Sequence, residues 1–144
     1  MPYATITDMI LKFGAIEMRR LSSADGDLPD HVEAPRIEDA LSAASVQIDS
    51  YLRKRYPLPL PSPPSELNRA ACVLARYDLA TGGDRSPSEE MRLARKEVIG
   101  WLEAIAAGRV ELAGVEAIGT GGTSAGARVS DRPAAFFTPP GGGL

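Results

Sequence analysis

The chain of 144 residues has one cysteine, one histidine, one tryptophan and three phenylalanines, and only 6% of its residues are aromatic. Each scarcity removes a class of protein. A single cysteine, Cys72, allows no intrachain disulfide, and its neighbours Ala70, Ala71, Val73 and Leu74 are apolar. We read it as a buried small hydrophobe in a reducing compartment. With one histidine, His31, in a loop beside Asp30 and Glu33, there is no Cys/His spacing for zinc. Gly122-Thr123-Ser124-Ala125-Gly126 matches Gly-x-Ser-x-Gly in letters, but no helical stripe follows it, so it does not read as a nucleophile elbow. No apolar run approaches the ~18 residues of a membrane span, and the N-terminus lacks a basic stretch leading into an apolar one. The expectation is therefore a cytoplasmically made protein with no enzymatic activity, no cofactor and no membrane association.

A basic excess is missing too. The net charge of −3 argues against a general nucleic-acid coat. It suits a surface that DNA slides past. The run Arg53-Lys54-Arg55, with Arg69 and Arg76 one helix later, is interleaved with acids and reads first as a solvated face. "GTGGTSAG", Gly119 to Gly126, lacks the Lys and the following helix of a phosphate loop and reads as a linker. Asp25, Asp27 and Asp30 supply only a fragment of a calcium loop.

What the chain does have is helix. Thr5 and Asp8 carry capping-box spacing before Ile6, Met9, Ile10 and Phe13, and Gly14 is a stop. A second short helix is expected over 15–21. Ile37, Leu41, Ala44, Ile48 and Leu52 recur at 4, 3, 4 and 4, a helical stripe beginning near Pro35 and running to about Lys54. Its last turn would hold the Arg53–Arg55 charges, complementing the helix dipole. Helix resumes over 65–80 with Leu67, Ala71, Leu74 and Tyr77 on one face. "SPSE", Ser86 to Glu89, then places Ser at N-cap and Pro at N1 for a helix carrying Met91, Ala94, Val98, Trp101, Leu102 and Ile105 to Gly108. The fold class is all-α, a small helical bundle over 1–108 with a long extended Gly/Pro-rich C-terminal arm over 109–144. Val110, Leu112 and Val115 offer one short strand within that arm.

Proline is concentrated in one place. "YPLPLPSPP", Tyr56 to Pro64, holds five prolines in nine residues between two helices. It reads either as a ligand for a proline-binding groove or as a rigid corner. Its position between packing segments favours the corner, since proline fixes φ and keeps the helices from fusing. Tyr56, Pro57, Leu58, Pro59 and Leu60 form it, with the two leucines as pins. In the arm, "RVSDRPAAFF" puts Phe136 and Phe137 far from any core helix. They need a cover: a neighbouring subunit, a partner groove, or their own bundle.

"YATITDMILKFG", "IDSYL" followed by "RYPLPL", and "CVLARY" together resemble the Mu-like prophage Gp36 family of phage head–tail proteins over about residues 3–105. The resemblance implies a neck component of a tailed phage virion, assembled in the host bacterial cytoplasm. It implies a helical connector, or adaptor, forming a homo-oligomeric ring, usually twelve-fold, beneath the portal protein. Head-closure and tail proteins would be its further partners, and DNA only passing cargo. Arg128, Arg132, Phe136 and Phe137 become candidate contacts to portal or neighbour. The alternatives are a head-closure or tail-completion protein, and a small DNA-binding packaging or regulatory protein. The last lacks a short Gly-containing turn at helix-turn-helix spacing.

Overall fold

The structure, a computed structural model, describes residues 2–24, 28–82 and 85–118. Among the described residues the fold is five helices: α1 (Ile6–Phe13), α2 (Ala15–Ser22), α3 (Ala34–Leu52), α4 (Ser65–Ala80) and α5 (Glu89–Ala106). α3 and α4 share the most extensive interface, α5 packs on both, and the short α1–α2 pair closes the remaining side.

Local chemistry sets most boundaries. The capping box of α1 is complete: Asp8 N–H donates to Thr5 Oγ1 at 3.2 Å, and Thr5 N–H donates to Asp8 Oδ2 at 2.9 Å. Gly14 ends α1 and opens α2 at φ +93°, where a side chain would be strained. Every member of the Ile37–Leu52 stripe is buried. On α4 the buried face is wider than one stripe, including Ala70, Ala71, Cys72, Ala75 and Ala80. α4 lies between α3 and α5 with α2 also against it, and alanines let those backbones approach closely.

Three boundaries differ from the sequence expectation. α3 stops at Leu52, so Arg53, Lys54 and Arg55 lie just beyond its end rather than in its last turn. The backbone N–H groups of Arg53 and Arg55 bond the terminal carbonyls of Asp49 and Leu52, both at 2.9 Å. α5 starts two residues later than "SPSE" suggested: Ser88 is the N-cap, its hydroxyl accepting from Met91 N–H at 3.2 Å. That register puts both Glu89 and Glu90 in the first turn, against the positive end of the helix dipole. α5 ends at Ala106, and Gly108 turns the chain at φ +82°.

The chain then runs back over the bundle. Leu112 is 3% exposed and joins the core, while Val110 and Val115 pack against it. The suggested strand over Val110–Val115 does not form, and there is no strand among the described residues. Leu112 N–H finds a side-chain acceptor, the Tyr56 hydroxyl, instead of a neighbouring strand.

Candidate functional site

The proline corner is packed into the bundle at two anchors. Tyr56 is 2% exposed and Leu60 7%, while Leu58 is half-buried against the core and Pro57 and Pro59 face outward. The Leu58–Pro59 peptide is cis. Buried Tyr56 still has a hydroxyl to satisfy, and it accepts the Leu112 N–H at 2.9 Å. A few residues on, Ile118 N–H donates to Arg55 C=O at 2.6 Å. The corner between α3 and α4 is thereby also the place where the segment after α5 is fastened.

On the other side of the corner the N-terminal segment forms a clamp. Tyr3 N–H donates to Ser45 Oγ at 2.9 Å, and its phenol donates to Asp49 Oδ1, both on α3. Asn68 of α4 donates to Tyr3 C=O at 3.2 Å and to Asp8 Oδ2 at 2.8 Å. Burial, then the bond to Asp49, pushes the Tyr3 phenol well above its ordinary pKa. The Asn68 amide, followed by the Thr5 backbone, holds the Asp8 carboxyl below its ordinary value. Tyr3, Asp8, Asp49 and Asn68, with Pro59, Pro61 and Pro63 as a wall, border a groove of roughly 550 Å³.

A second polar knot lies at α2. Arg76 of α4 grips Glu17 with two bonds, Nε to Oε2 at 2.6 Å and Nη2 to Oε1 at 3.1 Å. Its third nitrogen reaches Glu90 of α5 at 3.1 Å, and its guanidinium lies 4.4 Å from the Phe13 ring centroid. The Arg76 side chain is only 16% exposed. It is a structural tie joining four helices, not part of an outward basic face. Arg69, by contrast, is exposed and 3.6 Å from Glu97. Arg85 covers the end of α2, its Nη1 donating to the carbonyls of Arg20, Leu21 and Ser23 at 3.0–3.2 Å.

Cys72 is buried, and burial pushes its thiol up to about 11, away from thiolate reactivity. His31 is exposed between Asp30 Oδ1 at 3.0 Å and Glu33 Oε2 at 3.3 Å, and hydrogen bonds to these carboxylates raise its pKa. Among the described residues no group of three or more His, Cys, Asp or Glu is placed to hold a metal ion. No helix among them is long and apolar enough to cross a membrane. Asp25, Asp27, the Gly119–Gly126 stretch and the candidate contacts Arg128, Arg132, Phe136 and Phe137 lie outside the described residues. The sequence reading missed Tyr3, Asn68 and Arg85, and it placed Arg76 on a solvated face where the structure makes it a largely buried tie. Their partners lie far off in the chain, 46 residues for Tyr3–Asp49 and 59 for Arg76–Glu17, beyond any local spacing rule.

The class so defined is a small all-α bundle whose conspicuous polar groups tie elements together. The particular membership follows from comparison. The family described as "Bacteriophage Mu, Gp36" matches residues 3–130. The chain is 35% identical over 114 residues to gene product J of Escherichia phage Mu, covering 77% of this chain and 76% of that protein. It is 36% identical over 81 residues to the Mu-like prophage FluMu protein gp36 of Haemophilus influenzae, covering 56% and 55%. The chain belongs to the bacteriophage Mu Gp36 family, and it is a phage protein. The matched region runs well past residue 105, through the segment fastened to Tyr56 and Arg55.

Proposed function

We propose that this protein is a structural head–tail connector of a tailed phage, acting without catalysis as one subunit of a ring beneath the portal in the virion neck. The observation that carries the reading is the double fastening of residues 109–118 to the corner, through Leu112 to Tyr56 and Ile118 to Arg55. A ring subunit needs a rigid body and an arm leaving it at a fixed place. The bundle, cross-tied by Arg76 and the Tyr3–Asp49–Asn68 clamp, supplies the first. The fastened segment supplies the second, with Arg128, Arg132, Phe136 and Phe137 further along it. Large apolar side chains stay exposed on several elements, Leu11 at 79% and Val46 at 68% among them, which gives lateral faces something to bury against a neighbour. A net charge of −3 suits a channel through which DNA passes without being held.

The test is mass photometry of the purified protein, alone and mixed with portal from the same phage. A defined multi-copy complex appearing with portal supports the connector reading. A species that ignores portal overturns it. In infection, deleting residues 124–144 is expected to leave the bundle folded and stop particle completion. Infectious particles built with the truncated protein would count against the arm.

A further inference from the structure

The groove walled by prolines carries a negative charge that no ion pair among the described residues neutralises. Its charged lining residues are Asp8 and Asp49. Neither is in an ion pair among the described residues. Both are anchored through one oxygen. Asp49 Oδ1 accepts the Tyr3 phenol, and Asp8 Oδ2 accepts from Thr5 and Asn68. A carboxylate offers about four lone-pair sites, so each has a second oxygen left to accept from. The neighbouring positive groups are Lys12, one turn along α1 from Asp8, and Arg53, one turn beyond Asp49 at the end of α3; both are exposed, and neither forms an ion pair with the groove's acids among the described residues. The remaining wall is Pro59, Pro61 and Pro63, rigid and apolar. A volume of roughly 550 Å³ falls within the usual range for ligand sites. Two fixed carboxylates on a proline wall fit an extended peptide bearing guanidinium groups.

Such a peptide lies further along the same chain. From Gly119 to Leu144 the charged side chains are Arg128, Asp131 and Arg132, so the basic pair is concentrated in one short stretch before Pro133. The geometry points to this occupant: we propose that in the free subunit the segment Arg128–Pro133 lies in its own groove, the two arginines engaging Asp49 and Asp8. Reach supports it. Ile118 is held on Arg55, and Pro61 lines both this groove and the one beside Leu112 and Val115. The ten residues from Ile118 to Arg128 span at most about 36 Å. The longest helix, α3, has 19 residues and is about 28 Å long. A short tether also gives the chain's own segment an effective concentration in the millimolar range, which a second copy must exceed to displace it. This docking does not depend on the ring reading and is tested without portal.

The experiment is 15N NMR of the full chain, comparing the wild type with an Arg128→Gln/Arg132→Gln variant that leaves the bundle sequence intact. Expected are shifts of the Tyr3 and Ser65 amides and of the Asn68 side-chain amide, with α5 resonances unmoved. Amides 129–132 should lose order in the variant. High salt should shift the wild-type groove resonances toward the variant positions, because paired charges at an open groove are screened. Asp49→Asn, which keeps an acceptor for Tyr3, should reproduce the loss of order in the segment. Groove resonances that coincide in the two proteins overturn the proposal. So does a difference that vanishes on tenfold dilution, since the occupant would then be a second copy. So does a groove that responds to Phe136→Ala/Phe137→Ala and not to the arginine changes.

Discussion

Replacing Tyr56 with Phe removes one oxygen and leaves the ring, so it isolates the fastening of the segment after α5. The hydroxyl is the acceptor for the Leu112 N–H at 2.9 Å, in a buried bond that links residues 56 apart in the chain. Two responses are open to the variant. If the segment stays down, a buried N–H is left unpaired, at a cost of about 1–3 kcal/mol. If it lifts, water satisfies the N–H, but the Leu112 side chain, now 3% exposed, leaves the core. That costs about 1.5–3 kcal/mol, offset by backbone freedom of roughly 1 kcal/mol for each residue released. For release of about two or three residues around Leu112 these contributions nearly cancel, so Tyr56→Phe should shift the segment locally toward release without unfolding the bundle. Hydrogen exchange is the assay. A loss of about 1.4 kcal/mol corresponds to roughly tenfold faster exchange at Leu112 and Ile118, with the α3 and α4 core amides unchanged. Urea unfolding should show a loss of about 1–2 kcal/mol at most. Unaltered exchange at Leu112 in a stably folded variant would refute the fastening.

The two leucines of the corner should separate. Leu60→Ala, at a 7%-exposed site, should cost about 2–4 kcal/mol by thermal or urea unfolding, and Leu58→Ala, half-buried, clearly less. The reverse order would show that Leu60 is not the main pin. The Asp8 carboxyl, held below its ordinary value by Asn68 and Thr5, gives a pH signature. Its folded-state pKa is depressed, so its contribution is complete above the unfolded value near 4 and is lost as pH falls through the lower folded value. The melting-temperature gap between wild type and Asp8→Asn should be constant above about pH 5 and narrow below pH 4. A gap that does not change with pH would mean that the charge contributes nothing.

The elements of this protein were legible because helix formation leaves local marks. Capping-box spacing, the Gly14 stop and the 4-3-4-4 stripe of α3 are short-range patterns that follow from a 3.6-residue turn, and the structure repeats them. The Ser65–Ala80 helix and the burial of Cys72 follow from the same logic. The family resemblance, too, was carried by contiguous words such as "IDSYL" and "RYPLPL". Even locally there was a limit. Ser86 and Ser88 are both plausible N-caps by composition, and the choice fell to Ser88, whose register brings two glutamates into the first turn. Arg76 shows what lay beyond the sequence. One residue among several exposed-looking arginines became the partner of Glu17, Glu90 and Phe13 only when α1, α2, α4 and α5 converged. Tyr56 and Leu112 are a similar case. A buried phenol needs a partner, but a backbone N–H 56 residues away carries no side-chain signature. Periodicity is written in the chain because it comes from neighbouring residues. The clamps and the groove depend on which helices meet, and packing decided that.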